Sequence, residues 1–382
     1  MTRGRNAVLV VAGEASGDLH ASKVVARLRE LDPAVATFGV GGDRMREAGC
    51  ELVYHCDDFA VVGLVEVLRH VPRLRNAMDR LVALASERET RLAVLVDYPG
   101  FNLMLASRLR RIGVRVLYYV SPQVWAWGEG RVKKIATRVD RMAVVFPFEV
   151  EFYRKRGVDV DFVGHPLLEE PALADPPADP RGAGSPDEVV LGLLPGSRKH
   201  EIERLLPPML GAVELLRKEI DGLTVRLGRA HGVSEEFLVE NGDPARLGVE
   251  VLPPGAVHEV MRGSTALLIS SGTATLEAAC LGTPMVIVYR LAWLSYAVGR
   301  ALVRIPHIGL VNVVAGRKIV PELVQGDANS VRMAREIAPL LTDPALREKT
   351  SRDLLDVRRR LGDPGASDRV ARMVLDMIGG VA

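Results

Sequence analysis

Apolar residues along this chain keep two rhythms. Uninterrupted short runs, AVLVVAG (7–13), LAVLVDYP (92–99), VRVLYYVS (114–121) and MAVVFP (142–147), read as strands buried on both faces. Amphipathic stretches lie between them. The clearest spans about Val65 to Leu84, where Leu64, Leu68, Val71, Leu74, Met78, Leu81 and Val82 recur at steps of mostly three and four. Strands alternating with helices predict parallel sheets joined by right-handed crossovers, an α/β fold. The pattern breaks at EEPALADPPADPRGAGSPDE (169–188), which has no period and reads as a linker. It then restarts with VVLGLLPGS (189–197), LTVRLG (223–228), VEVLP (249–253), ALLISSG (266–272) and PMVIVYR (284–290). The last 50 residues read as helical throughout.

Each half opens alike, with a strand, a Gly/Ser loop and an amphipathic helix. This predicts two Rossmann-like domains facing a cleft, residues 1–168 and 189–354. Ligands of such sheets sit beyond the carboxyl ends of the strands, so chemistry is sought in those loops.

Composition narrows the partners. The net charge of +2 names none, but residues 61–141 hold 15 basic and 7 acidic side chains. Such a region attracts phosphate, nucleic acid or an anionic bilayer, or is simply an arginine-rich solvated surface. Three cysteines without ligand spacing fit buried small hydrophobes in a reducing compartment. No apolar stretch reaches the roughly 18 residues that cross a bilayer, so membrane contact is expected to be peripheral.

The loop AGEASGD (12–18) is a tight strand-to-helix turn, with Ser16 or Asp18 as helix cap. Glu14 and Asp18 argue against a naked phosphate there. No dinucleotide or P-loop glycine pattern is present. In LLPGSRKHE (193–201), Gly196, Ser197 and Arg198 end a strand, and loop amides with a guanidinium suit a diphosphate. ISSGTATLEAACLGTP (269–284) crowds Ser271, Gly272, Thr273 and Thr275 where a helix begins. Its Glu277 is a ribose acceptor or only a first-turn acid. Asp97 ends an otherwise apolar strand, as a candidate general base or a local cap. The eight histidines form no metal-ligand spacing.

Together GEASGD (13–18), SPQVWAW (121–127), LLPGSR (193–198), SGTATLE (271–277) and NVVAGRKIVPELVQ (312–325) resemble the lipid-A-disaccharide synthase family. The resemblance spans almost the whole chain. It implies a GT-B fold and an inverting transfer that needs no metal and no cofactor. The family joins UDP-2,3-diacylglucosamine to 2,3-diacylglucosamine 1-phosphate (lipid X), and UDP leaves. It also implies a cytoplasmic protein, peripheral on the inner face of the bacterial inner membrane. The catalytic set would be Asp97, Glu14 and Arg198. The nucleotide would be seated by Gly196, Ser197, Arg198, Ser271, Gly272, Thr273, Thr275, Glu277, Asn312 and Gln325. Helices from about residue 355 to 382 would pack back on the first domain, with a homodimer through them as a further implication.

The acceptor and lipid side falls to Ser16, Ser121, Gln123, Trp125, Trp127, Arg69 and Arg73. Two tryptophans beside Arg131 and Lys133 suit an acyl-lined cleft or bilayer edge. The 65–84 helix, apolar on one face and arginine-rich elsewhere, lies on a membrane or docks on its own sheet. Two rival functions share the fold, a UDP-N-acetylglucosamine 2-epimerase and a lipid-linked sugar transferase of cell-wall synthesis. A nucleic-acid binder with stacking tryptophans is a third, disfavoured by 5% aromatic content without regular aromatic–basic pairs. If the helix lies on a membrane, replacing Arg69, Arg73 and Arg75 by Glu lowers binding to anionic vesicles in a sedimentation assay. Unchanged binding removes that surface.

Overall fold

The computed structural model describes residues 7–59, 64–174, 188–291 and 307–379, with only the backbone of 64–71, Trp127 and Glu129. Most of the expected linker, 175–187, lies outside the described residues, as do the side chains of Arg69 and Trp127. The chain divides into two units, residues 1–169 with 361–382, and residues 170–360. Glu170 and the short helix Pro171–Ala174 thus belong to the second unit rather than to a linker. The return to the first unit falls at residue 361 rather than near 355.

The first unit holds a seven-stranded sheet of β1 (Ala7–Ala12), β2 (Ala36–Gly41), β3 (Glu51–His55), β4 (Leu92–Val96), β5 (Arg115–Tyr119), β6 (Arg141–Val144) and β7 (Val160–Phe162). The second holds six strands, β8 (Val190–Leu194), β9 (Thr224–Gly228), β10 (Glu250–Leu252), β11 (Ala266–Ser270), β12 (Met285–Tyr289) and β13 (Glu322–Val324). Their orders are β3-β2-β1-β4-β5-β6-β7 and β10-β9-β8-β11-β12-β13. Every pairing is parallel. Each sheet therefore reverses its winding once, between β1 and β4 and between β8 and β11. Those reversals leave the crevice where doubly wound sheets bind ligands.

The apolar runs form the sheet centres. Val8–Ala12, Leu92–Val96 and, in β11, Ala266–Ile269 are all at most 1% exposed. The helix Leu64–Glu87 places Ala77, Met78, Leu81 and Leu84 in the first core. Burying each large side chain contributes about 1.5–3 kcal/mol, so the face from Leu74 onward docks on its own sheet and is not offered to lipid. Arg73 pairs with Asp58 at 2.6 Å, with both groups exposed.

The C-terminal helix Ala366–Gly379 belongs to the first unit, its Val370, Ala371 and Val374 buried. Glu169 accepts from the Ser367 amide and hydroxyl, both at 2.7 Å. Arg369 Nε donates to the Val163 carbonyl (2.8 Å), and Arg27 pairs with Asp368 (2.6 Å).

Gly39 shows how tightly β1 and β2 approach. It lies opposite Val10, at φ 151°, and a Cβ there would fall 1.9 Å from the Val10 carbonyl oxygen. Gly39→Ala must push backbone aside, and a stability loss of about 3 kcal/mol is expected, read as a lower urea midpoint. A wild-type midpoint would contradict this strand register.

Candidate active site

At the first reversal, Ala12 lies opposite Val96 and Val96 opposite Tyr119, so the residues that follow share one sheet edge. Gly13 and Glu14 follow β1, and Asp97 and Tyr98 follow β4. Glu14 and Ser16 are exposed. A Cβ on Gly13 would lie 2.4 Å from the Tyr98 ring, so the two loops touch only because position 13 is glycine. Asp97 and Tyr98 both take φ 46°, and Val120 beside them takes φ 60°. Successive left-handed non-glycine residues are costly and persist only where the surroundings enforce them. Here the Asp97 carbonyl accepts from Tyr118 Oη (2.6 Å) and Asn102 Nδ2 (2.8 Å), while its N–H donates to Tyr119 (3.0 Å). Burial, reinforced by the charge of Glu14, pushes the Asp97 carboxyl up to about 6.

Beyond β5, the Ser121–Trp127 stretch is anchored from inside. Buried Glu149 accepts from Ser121 Oγ (2.5 Å), Trp125 Nε1 (3.0 Å) and the Phe146 amide (3.0 Å). Trp125 also meets Phe148 edge to face, and Tyr153 Oη donates to the Pro122 carbonyl (2.9 Å). Desolvation pushes the Glu149 carboxyl up to about 7. Ser121 and the Trp125 indole N–H are therefore spent on scaffold rather than presented to a lipid, while Gln123 is exposed.

The second unit holds a cavity of about 370 Å³ at the other reversal, between the ends of β8 and β11. Gly196, Ser197, Arg198, Glu201, Ser271, Gly272, Thr273 and Glu277 line it, with Gly228 and Val257. The Arg198 side chain is 73% exposed and reaches Glu201 at 3.3 Å. Glu201 opens the helix Lys199–Leu216 and accepts from the Ser197 (3.3 Å) and Arg198 (3.4 Å) amides. Gly196, at φ 119°, makes room: a Cβ would stand 2.4 Å from Glu201 Oε2. The helix Thr273–Cys280 starts at the cavity wall, and its amino end favours an anion. Glu277 accepts from His258 Nε2 at 2.9 Å.

Comparison with known proteins decides the family. The lipid-A-disaccharide synthetase family model matches residues 8–374. The lipid-A-disaccharide synthase of Geobacter metallireducens is 47% identical over 374 residues, 97% of each chain. That of Anaeromyxobacter sp. (strain K) is 48% identical over 379 residues, again 97% of each.

The chain belongs to the lipid-A-disaccharide synthase family.

Among solved structures, the Neisseria meningitidis UDP-GlcNAc 2-epimerase aligns with a TM-score of 0.65 at 13% identity, covering 97% of this chain and all (100%) of that one. The calicheamicin glycosyltransferase CalG4 aligns with a TM-score of 0.63 at 18% identity, covering 99% of each. At that identity they show the fold alone, that of GT-B enzymes. The lipid-A-disaccharide synthase relatives, not these neighbours, decide against the epimerase and cell-wall transferase readings.

Within this family member, several motif residues serve structure. Thr275 is 0% exposed, its hydroxyl donating to the Gly272 carbonyl at 2.8 Å. Asn312 is 0% exposed, holding Val320 and Glu322 through Nδ2 and accepting from the Ile319 and Val320 amides. Gln325 pairs with both the N–H (2.6 Å) and the C=O (3.2 Å) of Leu291. None of the three lines the cavity, because motif spacing fixes position and not side-chain direction. Asp18 caps no helix of its own; its buried carboxylate accepts from Gly42 (2.6 Å) and Met45 (3.1 Å). His55, Cys56 and Asp57 bring ligand atoms within 4.8 Å of one another, a juxtaposition that spacing rules did not flag. Burial holds the Cys56 thiol protonated, pushed up to about 11. Sequence reasoning also missed Glu149, Glu201 and His258. His258 alone left a signal, as a lone histidine opening a helix just past a strand's carboxyl end.

Glu14→Gln removes a neighbouring charge and is expected to lower the Asp97 pKa from about 6, read by carbon-13 NMR of the carboxyl. It should stay above 3.8, because burial is the larger cause. An unmoved titration would show that the two carboxylates do not sense each other.

Proposed function

We propose that this chain forms the lipid A disaccharide by joining UDP-2,3-diacylglucosamine to 2,3-diacylglucosamine 1-phosphate, with Asp97 as general base. The ionised Asp97 takes the proton of the acceptor's 6-hydroxyl as that oxygen bonds to the anomeric carbon. The carbon–oxygen bond to the diphosphate breaks with inversion, and UDP leaves. Glu14 keeps Asp97 basic enough for the task while burial keeps water away. In the second unit, the cavity holds the nucleotide. Arg198 and the amino end of helix Thr273–Cys280 offset the charge growing on the diphosphate, which is the work a metal does elsewhere. Glu277 accepts from the ribose hydroxyls. Acyl chains on both substrates call for contact with an anionic bilayer surface. Among the described residues no helix is long and apolar enough to cross one.

The observation that carries this reading is the half-buried Asp97 carboxyl, fixed in a left-handed turn at a strand end and raised to about 6. The purified protein with both diacyl substrates should release UDP and disaccharide 1-phosphate in EDTA as well as without it. A base must be ionised, so kcat/KM should be full above pH 7 and fall as pH drops through about 6. Asp97→Asn should cost about a hundredfold to ten-thousandfold in kcat. Full turnover in that variant removes the base, and abolition by EDTA removes the metal-free transfer.

A further inference from the structure

Glu277 sits 21% exposed in the cavity wall, and His258 beside it is 31% exposed. The two come from different elements, Glu277 from the helix Thr273–Cys280 and His258 from the helix Val257–Gly263 after β10. Val257, the residue before His258, itself lines the cavity. A glutamate has three side-chain torsions and two acceptor oxygens. The 2.9 Å bond from His258 Nε2 uses Oε2 and fixes the torsions, leaving Oε1 free to accept from a ligand. Thr275, two residues earlier on the same helix, faces away from Glu277, and its hydroxyl is tied to the Gly272 carbonyl.

We infer that His258 is a positioning residue for Glu277, and that charging its imidazole tightens the grip on an anionic nucleotide. This rests on the second-unit cavity being the nucleotide site. The charged groups facing His258 are Glu277 and Glu170, which favour the imidazolium, and Arg262 on its own helix, which opposes it together with burial. The hydrogen bond to Glu277 is the largest of these influences, and the net effect raises the histidine above its ordinary 6.5. Lowering the pH fills the imidazolium form, and the hydrogen bond to Glu277 favours that form. It cancels the Glu277 charge that would otherwise repel a diphosphate held in the same cavity. Linkage makes the effect reciprocal, so a bound anion raises the histidine further.

Calorimetric titration of UDP into wild type, His258→Asn and His258→Ala at pH 6.5 and 8.5 tests this. The ligand's own titration is common to all three proteins and cancels in the comparison. His258→Asn keeps an N–H donor but cannot charge. It should match wild type at pH 8.5 and lack the roughly fivefold tightening that wild type gains at pH 6.5. His258→Ala leaves Glu277 to be ordered on binding and should be weaker by about fivefold even at pH 8.5. One affinity and one pH profile for all three overturns the inference while leaving the nucleotide site standing. UDP that fails to bind wild type overturns the site and the inference with it.

Discussion

Both units obey one constraint: a fully paired parallel sheet has no free backbone in its interior, only at the strand ends. The crossovers carry the chain one way after β1 and the other way after β4, and the same divergence follows β8 and β11. At each divergence two loops leave in opposite directions, and no helix can cover the gap. The groups proposed to act on substrate, Glu14, Asp97, Arg198 and Glu277, are each set in or just after one of those four loops. The second unit's cavity is a consequence of winding as much as of side chains.

The two reversals are finished with opposite electrostatics. In the first, two acids share an edge, and the peptide carrying one of them is clamped from below by Tyr118 and Asn102. The clamp holds a conformation that Asp97 and Tyr98 would not choose, which aims the carboxylate at the cost of local strain. In the second, a guanidinium and a helix amino end supply positive potential, while each acid present is already engaged, Glu201 by loop amides and Glu277 by His258. A raised carboxyl suits proton abstraction, and a field of donors suits a leaving anion. The same architecture thus serves two tasks through the placement of a few charges.

What was legible in the sequence follows from the same physics. β1, β4, β5 and β11 sit mid-sheet, covered on both faces, and so are written as unbroken apolar runs. β2, β3, β7 and β13 were not picked out: Gly39 interrupts β2, β3 and β7 lie at sheet edges, and β13 has three residues, though β10, itself a three-residue edge strand, was read from VEVLP. Residues at strand ends, Asp97, Ser197, Arg198 and Ser271, could be named as candidates because position alone places them. The backbone-holding bonds of Thr275, Asn312 and Gln325 were not legible, because polar residues in a motif satisfy backbone as readily as ligand. Glu149 was invisible: no local pattern announces that a glutamate in a helix will be buried beneath a tryptophan-bearing loop 24 residues away.

The engagement of Glu201 changes how an anion must be held. The amides of Ser197 and Arg198 looked free in sequence, yet in the folded chain they already donate to that carboxylate, and Gly196 is the residue that admits it. Such a capping arrangement stiffens the loop, so Arg198 projects from a fixed base instead of a floppy turn. The donors that remain are the Arg198 guanidinium, exposed and paired with Glu201 at 3.3 Å, on the wall after β8, and the first amides of helix Thr273–Cys280, on the wall after β11. A diphosphate bridging those walls gains two charge-assisted contacts from groups already ordered by folding. If the cavity holds the diphosphate as proposed, its recognition depends less on a phosphate-wrapping loop than on the spacing between two strand ends, which the β8–β11 register fixes.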